Sequence, residues 1–174
     1  MCVKKKNKII QTHLYIDTGM SRDGVFPSEA VSFMKKFIEL PNLQMSGICS
    51  HFSSSDSDRD FSLYQFKLFK SCLENLNSNG FRFTHIHMAN SSAIFEFPEA
   101  HFNMVRPGLS LYGYTYSNTN NVSRELKPIL NLSTKVISVR TIQKGDSVGY
   151  NRTFISNKST KIATIPIGYG DGYP

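Results

Sequence analysis

Five residues of this chain that could bind anions, Arg22, His51, Asn90, Ser91 and Arg106, are far apart in sequence but share one setting. Each comes shortly after a short, apolar run of strand type. A guanidinium such as that of Arg22 grips a carboxylate in a two-pronged way. A hydroxyl and free N–H groups at a helix start, as at Ser91, suit a phosphate, and so do the N–H groups of Gly108 and Leu109 in "RPGL". Taken singly, each residue has a simpler reading: a hydrogen-bonded histidine at a strand end, an Asn-Ser helix cap, a surface arginine beside Pro-Gly. Together they describe a pocket rich in cations and backbone donors.

The elements that must gather these residues can be read from periodicity. "THLYID" at 12–17 reads as a strand that ends in the turn-forming "DTGMSRDG". "PSEAVSFMKKFIEL" carries Ala30, Phe33, Met34, Phe37 and Ile38 at helical spacing after Pro27 and Ser28, and Pro41 stops it. "LQMSGICSHF" is a second buried strand. "SLYQFKLFKSCLENLNSNG" puts Leu63, Phe66, Phe69, Leu73 and Leu76 on one helical face, with Gly80 as its stop. "FRFTHIHMAN" is a third strand, "SSAIFEF" a short helix before Pro98, and "FNMVRPG" a fourth strand. This alternation predicts a parallel β/α architecture, in which the loops after the strands form one chemical face. A phosphate-bearing ligand and a carboxylate-bearing substrate on that face fit pyridoxal phosphate acting on an amino acid, and the pattern alone leaves sugar phosphates open.

Beyond Tyr116 the polar, Asn-rich "SNTNNVSRE" reads as a linker. From Leu130 the chain reads as β, with "LNLSTKVISVRTI", the turn "QKGDS", "VGYNRTFI" and "KIATIPIGYGDGYP". The expected division is 1–116 and 117–174. A net charge of +7 permits an acidic partner, but the only basic run is Lys4 to Lys8 and no aromatic-interleaved basic stripe accompanies it, so no nucleic acid is expected. Cys2, Cys49 and Cys72 are widely spaced and odd in number, which points away from a disulfide framework and towards a reducing cytoplasm. No apolar run has membrane-spanning length, so no membrane partner is expected. His85 and His87 alternate on a strand without further ligands at metal spacing, so the metal expectation is none.

Five stretches resemble the alanine racemases in order and spacing: "HLYIDTGMSRDGV", "GICSHFSSSD", "HMANSSAIFEFPEAHFNMVRPGLSLYGY", "KGDSVGYNRTF" and "IATIPIGYGDGYP". The resemblance implies an α/β fold: the C-terminal half of a (β/α)8 TIM barrel that binds pyridoxal 5'-phosphate, followed by the start of an all-β domain. It implies interconversion of L- and D-alanine for peptidoglycan. By resemblance, Arg106 faces the cofactor's ring nitrogen. An arginine does not in practice release its proton, so the nitrogen stays unprotonated and the cofactor is a restrained electron sink. Tyr150 corresponds to an acid/base group supplied across a homodimer, and His51 to the histidine that joins it to Arg106. Arg22 corresponds to the carboxylate-binding residue. Ser91, Gly108 and Leu109, with Asn90, correspond to the phosphate cradle. Tyr169 and Asp56 resemble residues lining the path of the substrate, alanine.

The family's Schiff-base lysine stands outside these blocks, and none of Lys4, Lys5, Lys6 or Lys8 is in its motif. The sequence therefore reads as a fragment, inactive alone, as a module that binds pyridoxal phosphate without racemising, or as half of a split enzyme whose other half brings the lysine. At Tyr15 some family members carry a modified lysine that holds the carboxylate-binding arginine; a tyrosine cannot take that modification.

Overall fold

The computed structural model describes residues 8–115 and 125–173, in two compact units that divide between Ile129 and Leu130. The linker expected from Tyr116 and the lysines at 4–6 lie outside the described residues.

The first unit is built on a parallel sheet of β1 (Ile10–Tyr15), β2 (Leu43–Cys49) and β3 (His85–His87), in that order. Helices α1 (Ala30–Phe37) and α2 (Arg59–Ser78) connect the strands, and α3 (Ser91–Glu96) follows β3. Helix α2 starts before the apolar stripe does, because the Asp58 carboxylate caps it by accepting from the Phe61 N–H at 2.9 Å. It ends in a Schellman arrangement: Gly80 takes φ +87°, Gly80 N–H donates to the Asn77 carbonyl and Phe81 N–H to the Leu76 carbonyl. On α1 only Ala30, Met34 and Phe37 are buried. The expected stripe is narrower than drawn, since Phe33 and Ile38 are exposed.

The two faces of the sheet differ in chemistry, as the two-residue strand period requires. Leu14, Ile16, Ile48 and Met88 join Met34, Phe52, Phe69, Leu76 and Phe97 in the core. The opposite face carries the register row His13–Gly47–His85 and, one step on, Tyr15–Cys49–His87. Gly47 separates two imidazoles that stack with ring centroids 5.6 Å apart. A Cβ at Gly47 would lie 2.7 Å from the His13 ring, so the close approach itself requires glycine here.

The expected fourth strand is not a ladder. "FNMVRPG" runs beside β3 but forms a single bridge, Met104 to His87. Phe102 adopts φ +48° and Pro107 has no N–H, so the segment cannot keep a regular ladder.

The second unit is made of short antiparallel pairs, β4 (Ser138–Ile142) with β7 (Thr160–Thr164) and β5 (Ser147–Val148) with β6 (Phe154–Ile155). The turn at "QKGDS" forms as expected. Gln143 N–H donates to the Asp146 carboxylate at 2.7 Å, and Gly145 takes φ +95°. Two expectations are corrected. The strand expected from Leu130 begins only at Ser138, and "VGYNRTFI" is broken at Tyr150–Arg152 by a 3-10 turn in which Asn151 and Arg152 have positive φ.

Candidate active site

The loops that follow β1, β2 and β3 converge on a cavity of about 290 Å³, lined among others by Met20, His51, Asp56, Asn90, Ser92 and Leu109. Of the residues expected at strand ends, His51, Asn90, Ser91, Gly108 and Leu109 are brought together here, and Arg106 bonds directly to His51. Arg22 lies on the loop after β1 and is exposed. Tyr150 and Tyr169 belong to the second unit, each in a 3-10 turn and each exposed, at 89% and 87%.

Arg106 is anchored from several sides. Its own N–H donates to the Ala89 carbonyl at 2.9 Å. Nη2 donates to the Ser50 carbonyl at 2.7 Å and to His51 Nδ1 at 3.1 Å, and Nη1 donates to His87 Nδ1. Burial lowers the Arg106 pKa, yet every one of these partners is an acceptor, so the arrangement suits the charged form. Its Nε–H has no acceptor among the described residues.

The arginine in turn sets the states of the histidines. A guanidinium only donates, so both Nδ1 atoms facing it must be unprotonated. His87 therefore carries its proton on Nε2, which lies 2.7 Å from His13 Nδ1 and donates to it. Burial first, then Arg106, His13 and His85, push the His87 pKa down to about 4. The His51 pKa is lowered by burial and then by the Arg106 and Arg22 charges.

Beside this cluster, Asn90 caps α3. Its Oδ1 accepts from the Ala93 N–H at 3.0 Å and from the Ser55 hydroxyl at 2.8 Å. Ser91 Oγ accepts from the Gly108 N–H at 2.8 Å and the Ser110 N–H at 3.2 Å, so these two backbone donors are engaged by the Ser91 hydroxyl. The neighbouring Ser92 Oγ is buried against the cavity without a hydrogen-bond partner. A buried hydroxyl left unpaired is costly unless a polar ligand group completes it. The Ser91 hydroxyl proton, an unpaired hydroxyl at Ser92 and an unengaged Arg106 N–H together fit a phosphorylated pyridine.

The Tyr15 hydroxyl is also buried and makes no hydrogen bond of ordinary geometry, although the Arg22 guanidinium lies near enough to act on it. Burial raises its pKa although the Arg22 cation acts on it in the opposite sense. The Asp17 carboxylate shapes the loop that carries Arg22, accepting from the Gly19 N–H at 2.9 Å and the Ser21 N–H at 3.0 Å. Those two bonds hold its pKa below the ordinary carboxylate value.

Sequence reasoning missed Ser92, Thr18, Gln65 and the part His87 plays. His87 could have been found from its place three residues before the cap residue Asn90. Gln65 left no signal, because a polar residue within an amphipathic helix reads as solvent-facing.

Residues 2–116 match the family description "Alanine racemase, N-terminal domain" and residues 129–174 match "Alanine racemase, C-terminal domain". Alanine racemases of Treponema denticola and Halothermothrix orenii are 42% and 39% identical, over 97% and 98% of this chain. The chain spans about half the length of these curated relatives, 46% and 45% respectively. Among solved structures, alanine racemase from Clostridium difficile 630 superposes with a TM-score of 0.83 at 29% identity, covering 98% of this chain and 46% of that one. The enzyme from E.faecalis gives 0.81 at 32% identity, covering 96% and 45%. The barrel part followed by a β part, expected from the sequence blocks, is the architecture of these neighbours, and the chain belongs to the alanine racemase family.

Proposed function

We propose that this chain supplies the cofactor-facing half of an alanine racemase, an isomerase that interconverts L- and D-alanine for peptidoglycan synthesis in the cytoplasm. The observation that carries the reading is Arg106, held by His87, His51 and Ser50 beside a cavity whose Ser92 hydroxyl lacks a partner. The buried free thiols Cys49 and Cys72 suit the reducing compartment.

Pyridoxal 5'-phosphate is the cofactor these residues fit; when bound it withdraws electrons from the substrate's α-carbon and so acidifies the α-proton. Ser91 and Ser92, with the N–H groups of Gly108 and Leu109, would hold its phosphate, and Asn90 fixes the helix start that presents them. The Arg106 Nε–H would donate to the ring nitrogen without releasing its proton. Arg22 binds the substrate carboxylate, and Tyr169 and Asp56 line its path. Tyr150, contributed by a second copy of the chain in a homodimer, takes or gives the α-proton on one face of the substrate, and His51 links it to Arg106. The second base, the Schiff-base lysine of the family, is to be supplied by the part of the enzyme that these residues do not represent.

Complementation tests the reading. The chain is expressed in a bacterium that requires D-alanine, alone and beside the N-terminal half of a relative that carries the lysine. Growth only when both are present supports the proposal. Failure to grow, with both halves present as folded protein, overturns it.

A further inference from the structure

We propose that Gln65 is a positioning residue: from helix α2 its side-chain amide ties the loop after β1 to the loop after β2, and so presents His51 to Arg106. The inference rests on the racemase reading only for what His51 and Arg106 then do; the tie itself is a property of the chain.

Gln65 is fully buried on a helix that otherwise contributes apolar groups such as Phe69, Leu73 and Leu76 to the core. A primary amide has two donor hydrogens and one oxygen that accepts twice. All four capacities are in use. Oε1 accepts from the Ser53 N–H at 3.1 Å and from the Ser53 hydroxyl at 3.2 Å. Nε2 donates to the His51 carbonyl at 3.2 Å and to the Thr18 hydroxyl at 3.3 Å. The orientation is unambiguous: the Ser53 N–H can only donate and the His51 carbonyl can only accept, so exchanging the amide's O and N would oppose like groups at both ends.

The network then continues to the arginine by two routes. His51, whose carbonyl the amide holds, accepts from Arg106 through its ring. Thr18 shares a 2.7 Å hydrogen bond with the Ser50 hydroxyl, and the Ser50 carbonyl accepts from Arg106 at 2.7 Å. Thr18 and Ser50 are both buried, so the links are sheltered from competing water. A leucine or methionine at 65 would fill the same space, but it would leave the His51 carbonyl and the Ser53 N–H to find partners by moving. A fully satisfied polar side chain in an apolar core fixes one arrangement where apolar packing alone would permit several.

The test uses the whole chain and needs no cofactor. Ser53 is exposed and outside any helix or strand, yet its N–H ends on a buried amide oxygen. Native-state hydrogen exchange at Ser53 is expected to be slowed at least about 100-fold relative to an open loop. In Gln65→Met, the NMR titration of His51 is expected to move up towards the ordinary histidine range, because the ring leaves Arg106. Rapid exchange at Ser53, or an unchanged His51 titration in a folded Gln65→Met chain, overturns the proposal. If Gln65→Met does not fold, the exchange at Ser53 in the parent chain decides alone. Failure of the racemase reading would appear elsewhere, in complementation, and leave both measurements unaltered.

Discussion

Nη2 of Arg106 lies 3.1 Å from Nδ1 of His51, and because the guanidinium only donates, the imidazole must face it with a bare nitrogen. The same holds for His87, whose Nε2–H then donates a hydrogen bond to His13 Nδ1. We expect 15N NMR at neutral pH to show His51, His87 and His13 as neutral rings with the proton on Nε2. A protonated Nδ1 at His87 would contradict the assignment.

His87 also makes stability depend on pH in a definite direction. Its folded pKa of about 4 lies below the ordinary histidine value of 6.5. Between those values the unfolded chain binds the extra proton, so the contribution is complete above pH 6.5 and is lost as pH falls towards 4. The whole effect is up to about 3 kcal/mol. Denaturant melts from neutral pH down to about pH 4 should therefore steepen in the parent relative to His87→Gln, which cannot titrate. Parallel slopes would mean that another group controls the acid limb.

Gly47 should tolerate no side chain while His13 keeps its place. An alanine Cβ would come within 2.7 Å of the imidazole, and that ring is already committed to His87 and stacked on His85. Gly47→Ala is expected to cost about 1–3 kcal/mol. Adding His13→Ser should recover most of the loss, and strict additivity of the two changes would show that the ring is not the obstacle.

The sequence was legible where a single period governed the chain. The strand–helix alternation, the Gly80 stop and the "QKGDS" turn followed from local chemistry and are present. The misreadings arose where tertiary context outweighed propensity. "FNMVRPG" is apolar enough for a strand, but Phe102 and Pro107 leave it one bridge, and Tyr150 falls in a turn between two strands only two residues long. In the site, Arg106, His51 and Ser91 were visible because each follows an apolar run that reads as a strand. Gln65 and Thr18 were not, because their importance is a matter of what they reach across the fold, 47 residues apart.

Asn90 combines a cap with a cross-link, so its removal should cost more than a simple cap. Its Oδ1 serves both the Ala93 N–H and the Ser55 hydroxyl. Asn90→Ala is expected to lose about 1–3 kcal/mol and Asn90→Asp, which keeps the acceptor, much less. Pyridoxal phosphate affinity, read by fluorescence in the reconstituted enzyme, should fall in the same order. Equal losses for both variants would contradict the account of Oδ1.

Tyr15 offers the opposite case. Its hydroxyl makes no hydrogen bond of ordinary geometry, though Arg22 lies within its reach, so Tyr15→Phe should leave stability unchanged or raise it by about 1 kcal/mol. A fall in melting temperature would show that the phenol does bond in solution, with Arg22 as the partner whose charge already acts on it.

Tyr150 separates chemistry from folding most cleanly, because it is 89% exposed and its loss removes no core contact. In the reconstituted racemase, Tyr150→Phe should leave melting temperature and cofactor binding unchanged. Deleting a general acid/base removes about 10²–10⁴ in rate. The loss should fall on proton abstraction from one enantiomer, since a second base serves the other face of the substrate. Deuterium placed at the α-carbon makes the asymmetry measurable: the primary isotope effect should grow for the enantiomer that Tyr150 deprotonates. Weakened cofactor binding, with an isotope effect that changes alike for both enantiomers, would reassign Tyr150 to structure, and the proton would have to be carried by another residue.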